Sequence, residues 1–118
     1  MKWATAAAIA LFAPSLSFSA VCKRNAHGVY EDPACASEAF SKADKELNAV
    51  YRRLLAQVDD AAKIKLRASQ RAWIAYRDSN AGFVYAVEGE GSAGRMVLAN
   101  QNEQATRARI RELKSWFR

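Results

Sequence analysis

The sequence has few of the residues that most often build metal sites and catalytic groups: one histidine and two cysteines in 118 residues. His27 precedes Gly28 in a predicted loop, and no serine or cysteine nucleophile with an identifiable base accompanies it, although histidine catalysis needs a positioned partner. The carboxylates are scattered among lysines and arginines, so the sequence supports no isolated acid pair of the glycosidase type. We therefore expect a non-enzymatic protein with no catalytic residue, metal or cofactor.

A long hydrophobic run is also missing, because the apolar stretch of residues 3–13 is too short to span a bilayer. This stretch follows Lys2 and leads into a run of small residues, which is the pattern of a secretory signal peptide. Cleavage after Ser19 is favoured over cleavage after Ala20, because the second cut places a bulky phenylalanine three residues before it. We expect a signal peptide over residues 1–19 and no membrane insertion.

The remaining chain, residues 20–118, has the length of one small domain. The whole sequence carries 18 lysines and arginines against 12 acids, a formal net charge of +6. Nucleic acid is not an expected partner, because export separates the protein from it and no base-stacking array accompanies the charge. Anionic envelope polymers remain compatible with such a surface.

Cys22 and Cys35 both fall in the predicted exported part, where disulfides form and persist. A bond between them would close a short loop and constrain the unfolded chain by about 3 kcal/mol. Two free thiols or a metal pair are the alternatives. A metal pair is disfavoured, because metal sites normally require three or four ligands and His27 is the one further ligand nearby. We expect the disulfide.

Helical periodicity organises the exported part. Asp32-Pro33 is a strong helix start, since aspartate caps free amides and proline suits the first helical position. A core-facing stripe follows at intervals of three or four residues: Phe40, Ala43, Leu47, Val50, Leu54 and Val58. Asp59-Asp60 ends this helix or caps a second one over about residues 61–87.

A glycine-rich loop over residues 88–94 interrupts the pattern, and Ser92 is placed to cap the next helix. This third helix is expected over about residues 95–117, with its own stripe: Ala99, Thr106, Ile110, Leu113 and Phe117. These segments predict an all-α fold of three principal helices in a small antiparallel bundle, with the N-terminal segment tethered by one disulfide.

Residues 66–78 read Leu-Arg-Ala-Ser-Gln-Arg-Ala-Trp-Ile-Ala-Tyr-Arg-Asp and are the most informative stretch. Helical spacing places Leu66, Gln70, Trp73 and Arg77 on one face, where polar groups removed from water need hydrogen-bond partners. Asp78 is positioned to accept a charge-assisted hydrogen bond from an arginine.

Two interpretations of this stretch remain open. In the first, Trp73 belongs to the core and Arg77 bridges helices through buried hydrogen bonds. Leu66, Gln70, Trp73 and Asp78 then form a structural motif that specifies how the helices pack. In the second, Arg71, Tyr76 and Arg77 form a face that binds a partner, since tyrosine and arginine are favoured at binding hot spots. The acidic loop residues Glu88 and Glu90 are a separate partner-binding candidate, because binding residues concentrate on loops held by a rigid scaffold.

The same stretch resembles the signature of the LprI-type lysozyme inhibitor family, which consists of small exported bacterial proteins. Further matching positions lie on both sides of it: Cys35, Ala43-Asp44, Glu46-Leu47-Asn48, Tyr51, Leu54-Leu55, Gly91-Ser92, Thr106, Arg109 and Leu113. The resemblance implies a periplasmic or secreted protein that binds and inhibits a lysozyme or another peptidoglycan hydrolase. The alternative is a periplasmic structural or adaptor protein that binds anionic envelope polymer or another envelope protein.

Overall fold

The structure, a computed structural model, describes residues 22–118, so the predicted signal peptide lies outside the described residues. Within this range the chain forms three helices: α1 (Pro33–Gln57), α2 (Asp60–Glu88) and α3 (Ser92–Lys114). None of the residues described belongs to a β-sheet; one isolated bridge joins Arg24 to Tyr30. The predicted all-α fold is confirmed.

Aspartates cap the first two helices as the sequence predicts. The Asp32 carboxylate accepts a 2.8 Å hydrogen bond from the Cys35 backbone N–H, and Pro33 is the first residue of α1. Asp59 accepts an equivalent 2.8 Å bond from the Ala62 N–H. Each carboxylate satisfies a backbone donor that the helix leaves unpaired, which sets where the helix begins.

The predicted start of α3 is wrong by about three residues. Ser92 belongs to the helix, and the capping position is Gly91, which has no side chain to bond the free amides. The connection from α2 is therefore short. Gly89 ends α2 with a φ of 83°, a conformation that glycine adopts without steric cost. A Cβ added to Gly94 would lie 1.7 Å from the Gly89 carbonyl oxygen, so the tight turn requires glycine there as well.

The core lies mainly between α1 and α3, whose backbones approach each other along their lengths. Its buried centre consists of Leu47, Val50, Leu54, Ile110 and Leu113. These residues belong to the stripes predicted for α1 and α3, because residues three and four apart share a helix face. The core is therefore built largely without α2.

The α2 backbone lies further from the other two helices, and approaches α3 over a shorter stretch than α1 does. The buried residues of α2 are spaced seven apart: Gln70, Arg77 and Val84. Leu66 and Trp73, both half-buried, pack against the core from the same side. Long side chains thus span the gap between α2 and the rest of the bundle. None of the described helices combines the length and the apolar content that crossing a membrane requires.

The segment before α1 is held to α1 by a disulfide and to α3 by hydrogen bonds. Cys22 and Cys35 form the predicted disulfide, with their Cα atoms 5.5 Å apart, so the free-thiol and metal-pair alternatives do not apply. On the α3 side, the Asn100 amide donates to the Tyr30 carbonyl at 2.8 Å and accepts from the Tyr30 N–H at 2.9 Å. This two-way bond pairs the segment with a helix 70 residues later in the chain.

Candidate functional site

Arg77 lies in the interior of the bundle, on the side of α2 that faces α1. Its Nη1 donates to the Asp44 carboxylate at 2.9 Å, and its Nε donates to Asp78 at 3.1 Å. The guanidinium carbon is 5.2 Å from the ring centroids of both Trp73 and Phe40. Arg77 therefore joins α1 and α2 through ion pairs and ring contacts together.

Arg109 joins α3 to α2, at a point about two turns before Arg77. Its Nε donates to Gln70 Oε1 at 3.1 Å, and its Nη2 donates to Ser69 Oγ at 2.9 Å. Glu112, on the same helix, accepts from Nη1 at 2.9 Å. The Trp73 ring lies 6.0 Å from this second guanidinium, so one tryptophan of α2 contacts an arginine on each side.

Two polar atoms in this region have no hydrogen-bond partner among the described residues: Gln70 Nε2 and Thr106 Oγ1. Both side chains are buried, and a buried polar group without a partner costs about 1–3 kcal/mol. The hydrogen bonds of Arg77 to Asp44 and of Arg109 to Gln70 and Ser69 offset that cost, and each needs side chains from two helices within bonding distance. The polar residues of the motif therefore restrict how α2 docks.

The residues predicted to bind a partner do not form one surface. Arg77 is buried, whereas Arg71 and Tyr76 are exposed. Because Arg71 and Tyr76 are five residues apart, they point about 140° apart around the helix. Glu88 and Glu90 are exposed at the end of α2 and in the turn after it. Tyr76 and the two glutamates thus lie toward one end of α2, and Arg71 lies elsewhere.

An exposed apolar stripe on α2 was not predicted from the sequence. Tyr76, Phe83 and Val87 are 66%, 69% and 64% exposed, and their spacing of seven and four residues places them on one helix face. That spacing was readable in the sequence, but it equally fits a core-facing stripe. Glu88 lies five residues after Phe83 and projects from another side of α2, and Glu90 lies in the turn after it, so the two glutamates flank the end of the stripe. We call the three stripe residues together with Glu88 and Glu90 the acidic–apolar surface.

Glu103 of α3 is the centre of an ionic network that was also missed. Its side chain is 3% exposed and accepts hydrogen bonds from Arg24 Nη2 at 2.8 Å and from Arg107 Nε at 3.2 Å. Burial raises the pKa of the Glu103 carboxyl, but the hydrogen bonds from these two arginines outweigh burial and hold the pKa below its usual value. Arg24 thus fastens the N-terminal segment to α3 beside the Asn100 bond.

The network continues to α1 through Glu46. Hydrogen bonds from Lys114 and Arg107 lower the pKa of the Glu46 carboxyl, and the Lys114 bond is 3.2 Å long. Burial lowers the pKa of the Arg107 guanidinium, but its bonds to Glu103 and Glu46 outweigh burial and hold this pKa above its usual value. The N-terminal segment, α1 and α3 are therefore linked by one set of alternating charges.

The lone histidine lies in the N-terminal turn and is exposed; the His27 backbone N–H donates to Asn25 Oδ1 at 2.9 Å. Over residues 22–118, no three His, Cys, Asp or Glu side chains are grouped so that they could hold a metal ion. The arrangement of the described residues is that of a helical scaffold with an internal polar network and an exposed apolar stripe on α2.

The comparisons with known proteins identify the family of the chain. The model of the family described as lysozyme inhibitor LprI matches residues 22–113, and the chain belongs to this family. A protein of Rhizobium meliloti (strain 1021), described as uncharacterized, is 30% identical to the chain over 127 aligned residues, which cover 86% of this chain and 91% of the relative. No solved structure matches the chain significantly.

Family membership places the chain in an inhibitor family and confirms the resemblance of residues 66–78. The Cys22–Cys35 disulfide fits a location outside the cytoplasm, because such bonds persist in oxidising compartments.

Proposed function

We propose that the chain is an exported, non-enzymatic protein that binds and inhibits a lysozyme or another peptidoglycan hydrolase through its acidic–apolar surface. Family membership supports this class of activity. The observation that carries the choice of surface is the exposed stripe of Tyr76, Phe83 and Val87 beside Glu88 and Glu90. Exposed aromatic side chains grouped in this way are typical anchors of protein interfaces.

The distribution of charge along α2 supports a basic target. Residues 78–94 contain three acids and no lysine or arginine, whereas residues 63–71 contain four cations. Asp78 pairs with Arg77 at 3.1 Å, and Arg95 donates to the Glu90 backbone carbonyl at 2.9 Å. The carboxylates of Glu88 and Glu90 have no ion-pair partner among the described residues. Arg67 and Glu88 are about 30 Å apart along the helix at 1.5 Å per residue. This separation exceeds the Debye length of about 8 Å at physiological ionic strength, so each end acts through its local charge. A basic hydrolase is therefore attracted to the acidic end although the whole chain is positive.

Inhibition would require no chemistry by this chain. Tyr76 and Phe83 would pack against the rim of the target, and Glu88 and Glu90 would pair with basic groups beside them. Such a complex covers the entrance of a substrate cleft and excludes the glycan. Because α2 is a continuous helix up to Glu88, the surface is already ordered before binding, which lowers the entropic cost of association.

The test is a wall-lysis assay with the oxidised exported form against a panel of peptidoglycan hydrolases at low and moderate salt. We expect a one-to-one complex and dose-dependent inhibition that persists as salt rises. Phe83→Ala should weaken inhibition at least tenfold, since hot-spot truncations cost about 2 kcal/mol or more. Ile64→Ala is the matched control, because Ile64 is equally exposed on α2 at 64% but lies outside the stripe.

Two results would contradict the proposal. One is the absence of inhibition across the panel. The other is inhibition that Phe83→Ala and Ile64→Ala weaken equally, which would assign binding to another face.

Reversing the charge of Glu88 and Glu90 to lysine should also slow association with a basic hydrolase, most strongly at low salt.

A second candidate function is binding to an anionic envelope polymer. Exposed or half-exposed cations at the other end of the bundle favour it: Arg52, Arg53, Lys63, Lys65, Arg67, Arg71, Arg111, Lys114 and Arg118. Binding through dispersed charges should be multivalent and should collapse as salt screens it. Two measurements at increasing salt separate the two functions: sedimentation with purified wall material and inhibition of the hydrolase. Polymer binding should be lost as salt rises, whereas the complex with a hydrolase should retain its affinity.

A further inference from the structure

A groove opens at the end of the bundle where α1 turns into α2 and where α3 ends. It encloses about 550 Å³, which is within the range of small-molecule sites. Its apolar lining comes from all three helices and the segment after α3: Leu54, Val58, Leu66, Leu113 and Trp116. An adjoining cavity of about 340 Å³ shares Leu54, Val58 and Trp116, so the apolar surface is elongated. We call this feature the end groove.

The polar residues of the end groove are mostly cationic. Lys65 and Arg118 line it from α2 and from the segment after α3, and the described residues provide neither with an ion-pair partner. Glu112 also lines the groove, but its carboxylate accepts a 2.9 Å hydrogen bond from Arg109. Asp59 lines the adjoining cavity, where its carboxylate accepts a 2.8 Å hydrogen bond from the Ala62 N–H. At Lys65 and Arg118 the rim therefore carries unpaired positive charge beside an aliphatic floor.

This combination determines what the groove accepts. A second copy of the chain placed face to face would bring Lys65 and Arg118 against their own equivalents, and like charges repel. A basic protein is disfavoured for the same reason. An elongated apolar floor with a cationic edge fits a single alkyl chain that ends in an anionic group.

We propose that the end groove binds a single-chain anionic amphiphile of the fatty-acid type. The alkyl chain lies along Leu54, Leu66 and Leu113, with the exposed Trp116 ring at its side, and the carboxylate lies at the Lys65 edge. The site is about 25 Å along α2 from Phe83, counted from Leu66. It does not rest on the proposed inhibition of a hydrolase.

The experiment uses decanoate below its micelle concentration and the oxidised exported form, with affinity measured by calorimetry at low salt. We expect one site per chain. Shortening the ligand to octanoate should weaken binding about fifteenfold, since each methylene taken out of water is worth about a factor of four. Decanol, which lacks the charge, should bind more weakly than decanoate. The indole N–H signal of Trp116 should shift in NMR spectra on titration.

Lys65→Glu should weaken decanoate binding at least fivefold, and Arg118→Glu gives a second, independent test of the rim. Lys45→Glu is the matched control, since Lys45 is exposed on α1 and does not line the groove. Unchanged thermal unfolding of each variant confirms that the fold persists.

Three outcomes would overturn the proposal: no binding of decanoate, equal weakening by Lys65→Glu and Lys45→Glu, or signal shifts confined to Tyr76 and Phe83. A fourth is sedimentation of the protein with phosphatidylglycerol vesicles that decanoate does not reverse. That result would make the groove a contact for a bilayer surface instead of a site for one free chain.

Discussion

Arg109 Nε donates a 3.1 Å hydrogen bond to Gln70 Oε1 across the contact between α2 and α3. Both side chains are buried, and each is supplied by a different helix, so the bond exists only when the two helices are in register. The same guanidinium also bonds Ser69. This pair explains why a polar residue lies on the inner stripe of α2, where a generic amphipathic helix would place an aliphatic one.

Replacing Arg109 should destabilise the protein more than replacing Gln70. Arg109→Met removes the donor to Gln70 and Ser69 and leaves the Gln70 amide without a partner, so we expect a loss of about 1–3 kcal/mol. Gln70→Met should cost less, because it also removes the unpaired Nε2. Urea denaturation of both single variants and the double variant should give a coupling energy of about 0.5–3 kcal/mol. Strictly additive effects would show that the bond contributes nothing.

Gly94→Ala should lower stability by about 1–3 kcal/mol, because the new Cβ would overlap the Gly89 carbonyl oxygen and push α2 and α3 apart. Gly82→Ala is the matched control. Apart from the neighbouring backbone of its own helix, no atom lies within 4 Å of its Cβ position, and alanine in a helix interior is favoured over glycine by about 0.5–1 kcal/mol. The midpoint temperature of thermal unfolding should therefore fall for Gly94→Ala and rise for Gly82→Ala. A shift of the same sign for both would contradict the tight turn.

Stability should fall as the pH drops below the ordinary glutamate pKa of 4.5. The folded protein holds the pKa of Glu103 below this value, so the unfolded chain binds more protons in the acid range and protonation favours unfolding. The contribution of this carboxylate is complete above pH 4.5 and is lost as the pH falls through the folded-state pKa. Glu46 contributes in the same direction.

Glu103→Gln should weaken this acid dependence and should cost about 1–3 kcal/mol at neutral pH, because Arg24 and Arg107 lose a charged acceptor. Glu90→Gln serves as the control, since its exposed carboxylate has no ion-pair partner among the residues described. Denaturation curves at several pH values between about 3 and 7 measure both effects. If stability depended on pH in the same way in both variants, Glu103 would not contribute to the loss of stability in acid.

Reduction of the disulfide should destabilise the fold by about 3 kcal/mol, because the bond between Cys22 and Cys35, 13 residues apart, limits the freedom of the unfolded chain. The Asn100 bonds to Tyr30 should keep the segment in place in the folded state. Denaturation of a Cys22→Ser, Cys35→Ser double variant gives the stability change, and hydrogen exchange at the Tyr30 amide reports the local structure. Loss of protection at Tyr30 under native conditions would show that Asn100 is insufficient.

The sequence determined the features that depend on neighbours along the chain. Asp32 and Asp59 cap their own helices through amides three residues away, so their effect was readable without a fold. The apolar stripes of α1 and α3 followed from helical periodicity, and the disulfide followed from the presence of two cysteines in the exported part. The family signature of residues 66–78 was readable as well. The limits of α3 were less accurate, because Gly91 caps it without a side-chain signal.

The tertiary structure decided which distant groups meet. Arg77 pairs with Asp44, Arg109 with Gln70 and Tyr30 with Asn100, across 33, 39 and 70 residues. Periodicity assigns such residues to a face, but it does not set the distance between helices. Because α2 lies apart from the core formed by α1 and α3, its inner stripe needs long polar side chains and its flank leaves Tyr76 and Phe83 exposed. Exposure and pairing therefore depend on how three helices share one small core, and no single helix contains that information.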